Sequence, residues 1–319
     1  MNENIFNTFD YSVDMVRLST EIKKHIFQEV MNKFTNDISS MSFCTYREMK
    51  QINAYRHNFT IKGSHAFKGE FEKMGQDSYG NLFSIEKEQV YSFWVGAEHN
   101  ARPQNSGLID VVVEYNPNKC KDSEFLKYIL NSIFLDNPYT KVKKIDFAID
   151  IYHNIKNVIL TRNTHCQYKL IDNCGDNITH YMRERGSHGH LKIYNKGREE
   201  KSNINKTRYE ITLKIDIDLR YISFYEVDYG VFPSIRIRDL EQQIEFPSSV
   251  DSEKISSVDV VLTDACIDVP ARLLELPYRK RKKIEVLMNN LYRKVDFAHC
   301  EKIQSTINDY FNALCRNLK

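Results

Sequence analysis

The chain has 319 residues, and its 45 Lys and Arg against 43 Asp and Glu leave a formal net charge of +2. With 41% hydrophobic and 28% charged residues it reads as a globular protein with a sizeable core, of about two domains at roughly 150 residues each, and not as a disordered, collagenous or low-complexity chain. The most apolar stretch, around residues 128–135 (YILNSIFL), falls far short of the roughly 20 residues a spanning helix needs, and the N-terminal MNENIFNTFD has no basic start or apolar signal core, so the expected location is the cytoplasm.

In chain order, Ile22, Ile26, Val30 and Phe34 recur at helical spacing and predict a first helix. A turn-rich stretch is expected at 97–107. Residues 109–115 (IDVVVEY) alternate as a strand, with Ile109, Val111, Val113 and Tyr115 on one face and Asp110, Val112 and Glu114 on the other. A second helix is expected after Asp122, which can cap it, with Phe125, Ile129 and Ile133 on one face and its end before Pro138.

Three more strands follow the same alternation. In 145–150 (IDFAID), Ile145, Phe147 and Ile149 oppose Asp146, Ala148 and Asp150. In 190–196 (HLKIYNK), Leu191 and Ile193 oppose His190, Lys192, Tyr194 and Lys196. In 208–214 (RYEITLK), Tyr209, Ile211 and Leu213 oppose Arg208, Glu210, Thr212 and Lys214. A polar connection at 199–207 separates the last two. The polar segment 245–258 is the expected boundary between a domain of residues 1–245 and a helical, basic region of 246–319. Two helices are expected there, one carrying Ile284, Leu287 and Leu291, the other Ile303, Ile307, Tyr310, Phe311 and Leu314. No solenoid-type repeat is present.

The charge is uneven. Residues 270–319 carry 11 Lys and Arg against 5 acids, so this tail is +6 and the remainder −4. The densest run is Arg279, Lys280, Arg281, Lys282 and Lys283. A basic end on a slightly acidic protein is the footprint of a polyanion binder, although a short basic run also serves as an ordinary solvated helix face. The seven cysteines (44, 120, 166, 174, 266, 300, 315) show no CxxC pair or regular spacing, which reads as reduced thiols.

Stacked together, the four strands give a sheet with one apolar face, packed on helices, and one polar face. Alternation alone reads that polar face as the wet side of an antiparallel sheet. Its composition suits chemistry as well. Asp146 and Asp150 flank the small Ala148, leaving room for a hard cation such as Mg²⁺ or Mn²⁺. A tyrosine among lysines suits a nucleophile beside a phosphate, because the cations stabilise both the phenolate and the phosphate oxygens. The expected fold is therefore α+β: a mostly antiparallel central sheet whose polar face is the active site, helices on the other face, and a helical basic C-terminal region.

The segments VVVEYNPNK (111–119), IDFAIDIY (145–152), HLKIYNKGREEK (190–201) and RYEITLK (208–214) resemble, in order and spacing, the Rep_trans family of rolling-circle replication initiators of small staphylococcal plasmids. The similarity covers about residues 105–220 well. It implies that Tyr194 is the nucleophile, attacking a phosphodiester at the plasmid's double-strand origin to give a 5′-phosphotyrosine link and a free 3′-hydroxyl primer. It implies a divalent metal, Mg²⁺ or Mn²⁺, on Asp146, Asp150 and Glu210, with Glu199 and Glu114 as further acids. Lys196 would assist catalysis, and Lys196, Arg208 and Lys192 would contact phosphates. Arg279, Lys280, Arg281, Lys282 and Lys283 would read the origin, itself partly single-stranded or cruciform. A homodimer and a host helicase complete the implied partners.

Such an exchange of phosphodiester for phosphotyrosine is nearly isoenergetic and needs no ATP, in keeping with the absence of a GxxxxGK[ST] loop. Tyrosine, with a pKa of about 10, must be activated by metal or cation. Two other readings stay open: a relaxase of a conjugative element with the same chemistry, and a non-catalytic DNA-binding regulator. His188-Gly189-His190 imitates a metal-binding His-x-His motif of a related nickase superfamily but has Gly where that motif has a bulky apolar residue. Tyr152, Tyr168, Tyr181, Tyr209 and Tyr221 are rival nucleophiles, of which alternation places Tyr209 in the core. Trp94 reads as core or as a DNA-stacking residue.

Overall fold

A computed structural model of the chain describes residues 8–39, 44–51, 54–63, 73–76, 82–85, 89–98, 107–120, 124–161, 165–172, 178–238 and 269–316. The chain divides into two compact units, one of residues 1–11, 148–212 and 227–304, the other of residues 12–147, 213–226 and 305–319. The expected boundary segment 245–258 lies outside the described residues.

The second unit is built from β1 (Asp10–Lys23), α1 (Lys24–Ser39), β2 (Cys44–Gln51), β3 (Ala54–Gly63), β4 (Lys73–Gln76), β5 (Leu82–Ile85), β6 (Gln89–Glu98), β7 (Leu108–Tyr115) and α2 (Glu124–Ile129). β1 pairs antiparallel with β7, with Leu18 opposite Val113 and Ile22 opposite Ile109. β6 pairs with β7, β3 with β6 and β2 with β3, all antiparallel, while β4 and β5 form a separate two-stranded ribbon. Of the turn-rich stretch expected at 97–107, residues 97 and 98 are still strand and residues 99–106 lie outside the described residues.

Strand β1 corrects the first expected helix. Val16, Leu18, Thr20 and Ile22 are all buried, a period of two that runs to the end of the strand. Helix α1 begins only at Lys24 and buries Phe27 and Met31, leaving Ile26 39% exposed. The ladder to β7 satisfies this backbone as strand, and that overrides the coincidental helical spacing of Ile22 and Ile26. The second expected helix is present: α2 runs into a π-helical turn at Leu130–Leu135, burying Ile129, Leu130, Ile133 and Phe134, and stops ahead of Pro138, while the expected cap Asp122 and the side chain of Phe125 lie outside what the structure describes. After β7, the Asn116 side chain accepts from the backbone N–H of Asn118 (2.9 Å) and Lys119 (3.1 Å), so the NPNK segment is a turn closed by its own asparagine. From the last helix (Glu301–Arg316) the Tyr310 hydroxyl meets that of Tyr115, at the end of β7, at 2.8 Å.

β8 (Lys141–Ile151) passes from the second unit into the first. There follow β9 (Val158–Leu160), β10 (Tyr168–Asp172), β11 (Ile178–Met182), β12 (Leu191–Asn195), α3 (Lys196–Glu199) and β13 (Thr207–Asp218), which returns the chain to the second unit. β10, β11, β12 and β13 lie side by side in antiparallel order, and β13 neighbours β8. Leu191, Ile193, Tyr209 and Ile211 are buried on one face. The Tyr209 ring lies 5.0 Å from Phe297 and stacks on Phe232 at 6.4 Å. β14 (Ile235–Arg238), α4 (Val269–Glu275), α5 (Tyr278–Leu291), β15 (Tyr292–Val295) and α6 (Glu301–Arg316) complete the chain. β14 sits between β9 and β15 in a three-stranded sheet. Ile159, Val269, Ile284, Met288 and Tyr292 form a core beside it, with Leu273 and Leu276 packed on that cluster. In α6, Ile303, Ile307 and Phe311 are buried at the expected spacing.

The chain is thus α+β with a large antiparallel sheet. Among the described residues no helix is long and apolar enough to cross a membrane.

Candidate active site

The β12–β13 pairing places the polar side chains. Lys192 stands opposite Glu210 and Tyr194 opposite Arg208, while the alternate residues Leu191, Ile193, Tyr209 and Ile211 are in the core. The polar face is therefore not simply wet. Tyr194 is only 7% exposed, and its hydroxyl donates to Glu210 Oε2 at 3.2 Å. Lys192 Nζ lies 3.8 Å from the Tyr194 ring centroid and 3.9 Å from Glu210 Oε2. The tyrosine is held between a carboxylate that can take its proton and a cation over its ring.

Immediately after Tyr194 the strand turns into the single helical turn α3. The Asn195 side chain accepts from Arg198 N–H (3.0 Å) and caps it. The backbone N–H groups of Lys196 and Gly197 both donate to the Lys206 carbonyl, at 2.8 and 3.1 Å, and Ser202 N–H donates to the Gly197 carbonyl at 2.8 Å. This closes residues 196–206 on themselves. Position 197 must be glycine, because a Cβ there would come within 2.0 Å of the Ile204 carbonyl oxygen.

The closed loop fixes a chain of alternating charges. Lys196, itself buried, puts its Nζ 2.9 Å from Glu199 Oε2 and 3.8 Å from Glu200 Oε1. Lys206 Nζ reaches Glu200 Oε2 at 2.5 Å and Asp150 Oδ2 at 3.8 Å. Arg208 closes on Asp150 with both prongs, Nε to Oδ1 at 2.6 Å and Nη2 to Oδ2 at 2.8 Å, and both residues are buried. Burial pushes the Glu199 carboxyl up. The hydrogen bond and charge of Lys196, the Tyr194 hydroxyl and the charge of Lys192 together outweigh that and hold it below its ordinary value.

Of the residues expected at the site, the structure gathers Tyr194, Lys192, Lys196, Glu199 and Glu210. Arg208 and Asp150 are joined to each other. Asp146 and Glu114 belong to the second unit, where Lys144 lies 3.3 Å from Asp146 and 4.0 Å from Glu114. Among the described residues no three His, Cys, Asp or Glu side chains form a group fit to hold a metal ion. Asp146, Asp150, Glu210 and Glu199 therefore do not make a single ready-built cage, and Asp150 has both oxygens in the Arg208 fork. Glu199 and Glu210, which both bear on the Tyr194 hydroxyl, suit the sparser kind of site in which Mg²⁺ takes one or two carboxylates and completes its shell with water and substrate phosphate.

The rival tyrosines have other partners. Tyr209 is buried and its hydroxyl donates to the Pro233 carbonyl (3.1 Å). The Tyr168 hydroxyl meets His180 Nδ1 at 2.7 Å, and Tyr181 stacks on His190 with ring centroids 6.1 Å apart. Tyr221 is 52% exposed beneath Arg220. Tyr152 donates to the Asp10 carboxylate. That hydrogen bond, with burial and the charges of Asp10, Asp150 and Glu200, pushes its pKa up to about 12. In the His188-Gly189-His190 segment, His188 Nε2 lies 3.7 Å from Asp228 and His190 Nδ1 lies 3.1 Å from the Arg183 carbonyl. The two histidines thus serve different contacts. Trp94 belongs to β6, and its side chain lies outside what the structure describes.

Arg279, Lys280, Arg281, Lys282 and Lys283 fall in the first half of α5. Lys282 pairs with Glu285 at 2.8 Å, and Arg281 and Lys282 lie over Tyr278, which is 64% exposed. The first turn of α5 holds no acid, so these cations sit at the positive end of the helix dipole, where the helix itself does not favour them.

Three participants went unpredicted. Lys206 was legible: it alternates with Arg208 and Glu210 and so shares their face. Glu200 and Asp10 carried no signal, because a folded loop places the first and a contact across 142 positions places the second.

Comparison with solved structures finds a likeness to a rolling circle replication initiator protein from Geobacillus stearothermophilus, with 13% sequence identity over 77% of this chain and 91% of that chain and a TM-score of 0.37. No protein-family model matches, and no curated protein matches.

Proposed function

We propose that the chain is a DNA strand-nicking and rejoining enzyme that initiates rolling-circle replication, with Tyr194 as its nucleophile. The observation that carries this reading is the Tyr194 hydroxyl held on Glu210 beneath Lys192, within the four ordered motifs of the sequence. Tyr194 Oη forms a bond to phosphorus as the P–O3′ bond breaks. The phenolic proton passes to Glu210 and through solvent to the departing 3′-oxygen. The products are a 5′-phosphotyrosine and a 3′-hydroxyl, so atoms and charge balance and the reverse step rejoins the strand.

Glu199 and Glu210 would hold a Mg²⁺ or Mn²⁺ ion, which would neutralise charge on the phosphoryl oxygens. Lys196, between Glu199 and Glu200, orients the first of these carboxylates. Arg208, Asp150 and Lys206 anchor the β8 end of the site. The exposed cations of α5 would meet the phosphates of the origin duplex. The motif resemblance adds a second subunit, whose tyrosine closes the displaced circle, and a helicase that unwinds from the nick.

The test is conversion of a supercoiled plasmid bearing the protein's own replicon to open circle in Mg²⁺ or Mn²⁺. Wild type nicks and Tyr194→Phe does not. Equal nicking by both would move the nucleophile elsewhere, with Tyr152 the next target. Binding without nicking by either would favour a DNA-binding regulator.

A further inference from the structure

We infer that the Tyr181–His190 ring pair is a stacking platform for an unpaired base of the DNA strand that Tyr194 attacks; this rests on the proposed function of that site. Tyr181 stands on β11 and His190 at the entry to β12, and their rings stack with centroids 6.1 Å apart and planes 22° from parallel. Strand pairing sets Lys169, Tyr181, Lys192 and Glu210 in one row across β10, β11, β12 and β13, and Thr179, Tyr194 and Arg208 in the next row. Tyr181 is therefore a diagonal neighbour of Tyr194 on the same face, a relation that separates Cβ atoms by about 7–8 Å. A base on this platform belongs to a nucleotide flanking the attacked phosphate.

This face is closed at one end and open at the other. Towards α3, Tyr194, Lys196, Arg208 and Asp150 are all buried. Towards the β11–β12 hairpin, Thr179, Tyr181, His190 and Lys192 are half-buried and Lys169 is exposed. The reverse face of the same strands carries Ile178, His180, Met182, Leu191 and Ile193, all buried, so the ring pair stands on the surface side of the sheet. Among the described residues of β10, β11 and β12, the open face holds Lys169 and Lys192 and no acid. Aromatic rings flanked by cations suit a single strand, whose bases offer their flat faces while its phosphates meet the lysines. A duplex keeps those faces stacked on one another.

The hairpin holds the platform rigid. Arg183 takes the left-handed conformation, with φ 66°, and its Nη1 donates to the His188 carbonyl at 3.1 Å. His190 Nδ1 lies 3.1 Å from the Arg183 carbonyl, which fixes the orientation of the imidazole ring. Gly189, at φ 73°, leaves the space that the Arg183 guanidinium occupies, since a Cβ there would come within 2.2 Å of Nη1. A surface ordered before binding loses little freedom when a base settles on it.

The test is binding of an oligothymidylate of about 12 nucleotides, within the range of single-strand site sizes, measured by fluorescence anisotropy without divalent metal. Tyr181→Ala is expected to weaken it roughly 5- to 150-fold, the worth of one stacked base, while Tyr181→Phe keeps the wild-type affinity because the ring and not the hydroxyl does the stacking. Affinity for a duplex of the same length is expected to be the same in all three proteins. Unchanged oligothymidylate binding by Tyr181→Ala would overturn the inference, as would an equal loss on single strand and duplex. A second measurement needs no variant: photocrosslinking of the wild-type protein to the same oligonucleotide with one thymine replaced by 5-iodouracil, read by tryptic mass spectrometry. The crosslink is expected on a peptide carrying Tyr181 or His190, and crosslinks confined to α5 would overturn the inference. Neither readout requires nicking, so failure of the proposed reaction and failure of the platform are told apart.

Discussion

Arg208 and Asp150 form a buried two-pronged ion pair, Nε and Nη2 of the guanidinium on the two carboxylate oxygens at 2.6 and 2.8 Å. The pair joins β13 to β8 beside the nucleophile strand. A planar fork on a planar carboxylate is a geometry lysine cannot reproduce. Removing one partner leaves an uncompensated buried charge, which costs about 3 kcal/mol or more. Arg208→Ala is therefore expected to lower unfolding stability by about that amount in urea denaturation, with Arg208→Lys recovering part. Unchanged stability with weakened DNA binding would return Arg208 to the role of a phosphate contact.

Gly197 is the second structural dependency. The Ile204 carbonyl oxygen occupies the space a Cβ needs, at 2.0 Å. Gly197→Ala must open the 196–206 loop and displace Lys196 and Glu199 together. The expected result is a folded protein, destabilised by roughly 1–3 kcal/mol as for other forced overpacking, with nicking reduced about a hundredfold through misplacement alone. Circular dichroism and the plasmid assay check the two halves. Wild-type nicking by Gly197→Ala would show that the loop does not position the site.

Tyr152 and Asp10 make a test of alkaline titration. The Asp10 hydrogen bond is the first cause of the raised Tyr152 pKa, about 12. A group whose folded pKa is raised lends stability that is full below the unfolded value of about 10 and is lost as pH rises through the folded one. Asp10→Asn is expected to bring Tyr152 down towards 10 and to remove that window, read as tyrosinate absorbance against a Tyr152→Phe background. An unmoved midpoint would mean that the hydrogen bond does not persist in solution.

Glu199 behaves in the opposite sense. Burial raises its pKa, but Lys196, the Tyr194 hydroxyl and Lys192 lower it further, to a net value below the ordinary one. Its contribution is present above the ordinary glutamate pKa and is lost as pH falls through the lowered one. Glu199→Gln should therefore remove that contribution and flatten the acid limb of unfolding stability below about pH 4, the ordinary glutamate value. An acid limb identical in wild type and variant would assign it to another group.

Much of this site is written in alternation. Tyr194, Lys192, Arg208 and Glu210 share a face because strands place every second side chain together, and Tyr209 is buried for the same reason. Alternation did not say which polar residues pair. It marked Asp146 and Asp150 as neighbours on one strand, but the Arg208 fork engages one and Lys144 the other. At Ile22 two periods coincide, the period-two burial that runs from Val16 and a helical spacing into the next element, and the strand ladder decides between them. The Tyr152–Asp10 contact spans 142 positions, and no local pattern encodes it.

The central claim is that Tyr194 becomes covalently joined to DNA. The most direct measurement is tryptic mass spectrometry of the denaturant-stable adduct formed on a single-stranded oligonucleotide carrying the nick site, with Mg²⁺ or Mn²⁺. The account predicts one modified peptide, bearing a 5′-phosphonucleotide on Tyr194, and its disappearance in Tyr194→Phe. A modified peptide centred on Tyr152, or an adduct that persists in Tyr194→Phe, would contradict it.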